Sequence, residues 1–99
     1  MPGNKISWSE NSKKQFTDAL EYIMEDSVQS AENLQNKLLN KLEAVSKHPE
    51  MFPPDKYKTN NDGSFRVFVV FHYRVSYRII RNEIRILRIR HSSMKPKYY

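Results

Sequence analysis

The sequence predicts an α+β domain in the order β-α-α-β-β-β, a small antiparallel sheet carrying a helical hairpin on one face. Three observations predict it. Apolar residues recur at steps of three and four through the first half of the chain. From Ser64 onward the pattern changes to β-branched and aromatic residues alternating with polar ones. The 99 residues hold enough apolar surface for one core, since domains cluster at about 100–150 residues, so 1–99 reads as a single domain.

Lys5-Ile6-Ser7-Trp8 alternates polar and apolar, which predicts a short first strand. Ser9 follows as a helix cap, its hydroxyl positioned to take up amide groups left free in the first turn. Phe16, Leu20 and Ile23, with Ala19 and Met24 beside them, then lie opposite Lys13, Lys14, Asp18, Glu21 and Glu25. Asp26-Ser27 breaks the helix and supplies a second cap. Val28, Ala31, Leu34, Leu38, Leu42 and Val45 trace one apolar stripe, and the two helices form an antiparallel hairpin whose shared apolar side needs a sheet to cover it. His48-Pro49 stops the second helix, because the residue before Pro is pushed out of the helical region.

Residues 48–63 read as a loop, with Pro53-Pro54 and Asn60-Asn61-Asp62-Gly63 as its turn signals. Three strands follow. Phe65–Val70 is β-branched and aromatic apart from Arg66, and the register where it gives way at Phe71-His72 stays open. Tyr73–Ile79 alternates cleanly, with Arg74, Ser76 and Arg78 on one face and Tyr73, Val75, Tyr77 and Ile79 on the other. Arg81-Asn82-Glu83 is a tight turn. In Ile84–Arg90 the alternation slips at Ile86-Leu87, which implies either a bulge or burial on both faces. Residues 91–99 read as a flexible tail.

The net charge of +6 is unevenly placed. Residues 1–59 hold eight Lys against nine acidic residues, a net of −1, whereas residues 60–99 hold nine basic residues against Asp62 and Glu83, a net of +7. All seven Arg fall between Arg66 and Arg90, on the sheet face away from the hairpin. A guanidinium is a rigid planar fork suited to phosphates and carboxylates, so this cluster reads as a binding face for nucleic acid or an acidic protein.

Several classes of function are excluded. Two glycines, Gly3 and Gly63, cannot build a Gly-rich phosphate loop, and the chain is too short for a nicotinamide-binding fold. With no Cys, and with His48, His72 and His91 far apart, neither a metal site nor a cofactor is expected. The longest apolar run is Val69-Val70-Phe71, far short of the roughly 20 residues that cross a bilayer. No secretory signal opens the sequence, and the absence of Cys fits a reducing compartment, so a cytoplasmic location without membrane contact is expected.

His91 follows directly on the last strand and carries the side chain suited to proton transfer near neutrality. With Arg74, Arg78, Arg88 and Arg90 holding a phosphodiester, and Tyr98 or Tyr99 stacking on a base, the group would suit metal-free RNA cleavage, the 2′-hydroxyl acting as internal nucleophile. Arginines bound to an acidic partner would look the same in sequence.

Ile6-Ser7-Trp8-Ser9 leading into a helical hairpin, the strand Tyr73-Arg74-Val75-Ser76-Tyr77-Arg78, and Glu83 to His91 followed by Ser92-Ser93-Met94-Lys95-Pro96 together resemble the RelE/ParE superfamily of toxins from bacterial toxin–antitoxin, or plasmid-stabilisation, modules. The resemblance covers nearly the whole chain and implies a compact sheet with a helical hairpin. It also implies one of two mechanisms. RelE-like members are metal-independent endonucleases that cut messenger RNA on the ribosome; that branch would make Arg74, His91 and Tyr98 catalytic. ParE-like members instead poison DNA gyrase, and Ile89-Arg90-His91-Ser92-Ser93-Met94 is closer to them. The Lys pair of some ribonuclease members has no sure counterpart, since Lys56 and Lys58 lie in a loop and Arg66 is only a substitute. No carboxylate stands where a general base is needed.

The resemblance therefore leans to a growth-inhibitory gyrase poison, with messenger RNA cleavage as the alternative and a non-toxic RNA-binding or adaptor domain as the second. Arg66, Arg78, Arg88, Arg90 and Lys95 are the expected contacts to target or phosphate. A cognate acidic antitoxin is the expected partner, drawn by the +7 half onto the hairpin groove, the Arg face, or both.

Overall fold

In the computed structural model, which describes residues 3–99, the chain runs β1 (Lys5–Trp8), α1 (Glu10–Met24), α2 (Val28–Lys47), β2 (Phe65–Val70), β3 (Tyr73–Ile80) and β4 (Glu83–His91). This is the α+β order expected from the sequence. The sheet order is β1-β4-β3-β2, and β2, β3 and β4 form an antiparallel meander. β1 pairs with β4 in parallel, so the sheet is mixed rather than wholly antiparallel. The topology requires it. The two helices go out and back, ending where the Asn4 amide donates to the Ser46 carbonyl at the start of β1. The chain thus re-enters the sheet at the end from which β1 began, and a three-strand meander finishes running the way it started.

The helices begin where the Ser caps lie: Ser9 accepts from the Ser12 amide and Ser27 from the Ser30 amide, each at 3.1 Å. Ala31, Leu34, Leu38, Leu42 and Val45 of the stripe are all buried, while Val28, beside the hairpin apex, stays exposed. They pack on the inward face of the sheet, made by Phe68 and Val70, Val75 and Tyr77, and Ile84, Ile86 and Ile89. Burying side chains of this size contributes about 1.5–3 kcal/mol each, and this layer is the main source of stability. Tyr77 is wholly buried because its hydroxyl has a partner there, the Pro49 carbonyl at 2.8 Å.

A bulge in β4 decides which residues join that layer. Tyr77 lies opposite Ile86 and Ser76 opposite Arg88, leaving Leu87 without a partner. The two alternatives left by the sequence resolve to a bulge. One extra residue resets the alternation, so Ile84 and Ile86 before it and Ile89 after it all face the helices. Without it, Arg88 and Arg90 would enter the core. The start of α1 clamps this point. The Ser9 amide and the Ser12 hydroxyl both donate to the Ile86 carbonyl, at 3.0 and 3.1 Å, and the Ser9 hydroxyl donates to the Leu87 carbonyl at 2.9 Å. Beyond the reach of β1, the Gln15 side chain accepts from the Ile89 amide at 2.7 Å and closes the exposed edge.

Ser12 is fully buried, so Ser12→Ala leaves the bulge carbonyl short of a donor and costs about 1–3 kcal/mol in urea denaturation. Ser30→Ala, on the exposed side of α2, changes stability by less than about 0.5 kcal/mol. Equal effects would show that the clamp is not stabilising.

Candidate target-binding site

The bulge sends Arg88 and Arg90 to the face away from the helices, which Arg74, Arg78 and Arg85 reach by their own alternation. There Arg74 lies opposite Arg90, Ser76 opposite Arg88, and Arg78 opposite Arg85. Crowding five guanidinium groups on two neighbouring strands is unfavourable unless each finds a partner. Arg85 pairs with Glu83 at 3.0 Å. Arg78 lies over the Phe65 ring at 4.7 Å, and its buried Nε has no hydrogen-bond partner. The other three are met by two segments that fold across the face, the loop after α2 and the C-terminal tail.

The loop is fixed along β2. The Val67 amide donates to the Pro53 carbonyl at 3.2 Å and the Asp55 amide to the Phe65 carbonyl at 2.8 Å. Asn61 ties the return: its amide group donates to the Asp55 and Phe65 carbonyls, and its oxygen accepts from the Gly63 and Phe65 amides. Gly63, at φ 95°, makes the left-handed turn that this closure needs. The result is a buried carboxylate. Asp55, 1% exposed, accepts from the Ser76 hydroxyl at 3.1 Å, the Tyr99 hydroxyl at 2.8 Å, the Tyr57 amide at 3.0 Å and the Arg74 guanidinium at 3.3 Å. Four donors meet the desolvation cost of a buried anion. Arg74 is further sandwiched by the Tyr57 ring, 4.8 Å away.

The tail, expected to be flexible, is laid back over the same face. Tyr99 stacks on Arg88 at 3.9 Å, and its amide and carbonyl bond to Tyr57 and Thr59. Arg88 donates to the Lys97 carbonyl at 2.7 Å and Arg90 to the Lys95 carbonyl at 3.2 Å. Desolvation lowers the pKa of Arg88, and the charges of Arg90 and Arg74 add to the effect, opposed by Tyr99 and Asp55; as a guanidinium it stays charged. Between tail and strands lies a cavity of about 200 Å³ whose lining includes Arg74, Arg88, Arg90, Ser76, His91 and Lys97.

The residues expected from the sequence divide into three groups. Arg74, Arg88 and Arg90 meet at this cavity, and Lys95 reaches it through its carbonyl. Arg78 shares the face at its other end. Arg66 does not join them: it lies opposite Tyr77 and its guanidinium holds the carbonyls of Glu50, Phe52 and Gly63. His91 borders the Arg cavity, but its ring packs toward the other side of the sheet. The alternation that restores Ile89 to the core side carries His91 there too, and its ring packs against His72 and Tyr73 at 5.8 and 5.1 Å. Its Nδ1 accepts from the Ser93 amide at 3.1 Å, which places any neutral-ring proton on Nε2. Its side chain belongs with a second cavity of about 280 Å³, lined by Tyr22, Ile23, Leu34, Phe71 and Tyr73. Tyr98 is exposed and touches the site only through the edge of Tyr57, 5.3 Å away.

Asp55 and Tyr57 were not among the expected site residues. Asp55 stands between Pro53-Pro54 and Lys56-Tyr57-Lys58, where an acidic residue reads as a solvated loop group, and no local signal shows that this loop crosses the sheet. Tyr99 was expected as a stacking residue for a base and instead stacks on Arg88.

Removing the carboxylate with Asp55→Ala strands three donors and a half-buried guanidinium, so it costs about 3–5 kcal/mol in chemical denaturation. A loss below 1 kcal/mol would show that the cluster is not stabilising. Burial, reinforced by the bond to Asp55, pushes the Tyr99 phenol up to about 12, and burial does the same for Tyr77. The folded chain holds the neutral phenol. This contribution is complete below about pH 10 and lost as pH rises through about 12. Following tyrosinate absorbance in alkaline titration, two of the six tyrosines ionise last, and Tyr99→Phe removes one of them.

The family model described as "ParE toxin of type II toxin-antitoxin system, parDE" matches residues 6–96. No curated protein matches the sequence. Among solved structures, the chain is similar to one from the chromosomal ParDE toxin–antitoxin system of P. aeruginosa, with a TM-score of 0.67 and 12% identity over 89% of this chain and 95% of that one. It is also similar to one from the RelBE2 toxin–antitoxin complex of Mycobacterium tuberculosis, with a TM-score of 0.56 and 16% identity over 92% and 93%. At these identities the likeness is one of fold, the same mixed sheet with its helical hairpin. Matched from Ile6 to Pro96, the chain belongs to the ParE toxin family of type II toxin–antitoxin systems.

Proposed function

We propose that this toxin arrests growth in the cytoplasm by binding and poisoning DNA gyrase, and that an acidic antitoxin neutralises it. The observation that carries the reading is the convergence of Arg74, Arg88 and Arg90 on one cavity, with the neighbouring carboxylate, Asp55, buried beneath them. His91 also borders that cavity, but its ring packs against His72 and Tyr73 rather than on the guanidinium groups. A nuclease needs a proton donor or acceptor within about 3 Å of the reacting phosphate. The hydroxyls nearest the arginines, Ser76 and Tyr99, both donate to Asp55, and Asp55 is buried and fully engaged. A surface dominated by guanidinium groups that keep their charge suits binding an anionic partner.

Messenger RNA cleavage keeps one supporting feature: His91 borders the same cavity as Arg74, Arg88 and Arg90. The antitoxin reading draws on the family and on charge. A +7 half attracts an acidic segment that folds as it binds, and the toxins of similar fold come from toxin–antitoxin systems.

Induced expression, followed by a gyrase cleavage assay beside primer extension on cellular messenger RNA, separates the targets. The expected result is accumulated gyrase–DNA cleavage complexes and no new messenger RNA ends. His91→Ala is expected to retain growth arrest within about threefold, whereas loss of a proton donor would slow an RNA cleavage by about 10²–10⁴. New RNA ends that vanish in His91→Ala would reverse the assignment. No growth arrest from a folded chain would favour the adaptor.

A further inference from the structure

We propose that residues 92–99 are a built-in occupant of the Arg cavity, a strap whose carbonyl oxygens hold the places of an anion's oxygens and which must lift for an oligoanionic, phosphate-like ligand to bind. This inference rests on reading the Arg face as the target-binding surface.

Arg88 and Arg90 have no carboxylate partner within ion-pair distance among the described residues. Their hydrogen-bond acceptors are main-chain carbonyls of Lys97 and Lys95, two residues apart on a tail that forms neither helix nor strand. Arg88 and Arg90 are likewise two residues apart on one face of β4, so the spacing of the carbonyls matches that of the guanidinium groups. The Tyr99 carbonyl continues the series and is held by the amide and hydroxyl of Thr59, both at 2.8 Å. Pro96, between the two donated carbonyls, has no amide and a fixed φ, so the chain arrives already extended and leaves no donor unsatisfied.

The latch at the end is Tyr99. Its hydroxyl reaches the buried Asp55 carboxylate and its ring covers Arg88, so one residue binds both the anion beneath the site and a cation in it. The contacts to Arg88 and Arg90, however, are to neutral oxygens. A guanidinium bonds an anionic oxygen about twice as strongly as a neutral one. The strap is therefore a weaker ligand than the phosphate it imitates, strong enough to fill the seat and able to be displaced. Residues 92–98 are exposed, so little apolar contact opposes release.

The test is pyrophosphate binding to the full chain, by calorimetry at low salt, with amide hydrogen exchange read in parallel. Tyr99→Phe, which cuts the bond to Asp55, is expected to bind about 10-fold tighter than the parent. Pro96→Gly, which loosens the strap without removing a donor or acceptor from the body, is expected to bind about 2–5-fold tighter. In the parent chain, pyrophosphate is expected to speed exchange of the Thr59 and Tyr99 amides, which the latched tail protects. Unchanged or weaker binding in both folded variants overturns the proposal. So does binding that leaves those two amides protected, or no binding by any variant. If Tyr99→Phe fails to fold by circular dichroism, Pro96→Gly and the exchange result decide. The gyrase assay is independent: tighter binding with no gyrase effect keeps the strap and removes the target, and the converse removes the strap alone.

Discussion

One unpaired residue, Leu87, governs the distribution of charge in this molecule. β4 carries apolar and basic residues in alternation, and the period of a strand is two. An uninterrupted strand that buried Ile84 and Ile86 would bury Arg88 and Arg90 as well. The bulge prevents this at the cost of two carbonyls that no neighbouring strand can satisfy. Ser9 and Ser12 satisfy them, and the same Ser9 hydroxyl caps α1. The helix start, the bulge and the placement of the basic face are thus one constraint.

The basic face is then built around an anion. Arg74, Arg88 and Arg90 line one cavity, and only Arg74 has a charged partner among the described residues. Asp55 lowers the field for all three while lying under the surface, where it cannot be mistaken for part of the binding face. Aromatic rings share the task. Tyr57 covers Arg74, Phe65 covers Arg78 and Tyr99 covers Arg88, each near enough for the ring's negative face to act on the cation. Such contacts stabilise a cation without neutralising it, so the face remains available to an anionic or acidic partner.

Much of the fold is legible in the sequence because its periods are strong. The stripe from Ala31 to Val45 is buried as its period requires, and Tyr73 to Ile79 face as they alternate, although outward Ser76 is buried too, under Asp55. The segregation of Arg is legible for the same reason. The parallel pairing of β1 is not, since four residues of alternation carry no direction. The site is legible only in half. Arg74, Arg88 and Arg90 are on strands, where period sets the face. Asp55 and Tyr99 are not, and their positions depend on contacts across 21 and 44 residues that no local pattern encodes. His91 is legible only in part: it stands at the rim of the sheet and borders the Arg cavity, but the period of two along β4 turns its ring to the face opposite Arg88 and Arg90.

The position of His91 at the end of β4 bears on function. In a sheet, residues that act together must be separated by even steps along a strand or lie opposite each other across one. Arg74 is opposite Arg90, and His91, one step further, is opposite Tyr73. Moving the imidazole to the arginines would require a second bulge or an unwound strand end, and the bond from the Ser92 amide to the His72 carbonyl at 2.6 Å holds that end closed. The pleat therefore keeps the positive charge of Arg74 and Arg90 on the face covered by the tail, while the His91 ring packs with aromatic residues near the apex of the helical hairpin. His91 borders the Arg cavity without joining the cluster of Asp55, Arg74 and Tyr99, so the charge that an anionic partner would meet there is set by the guanidinium groups.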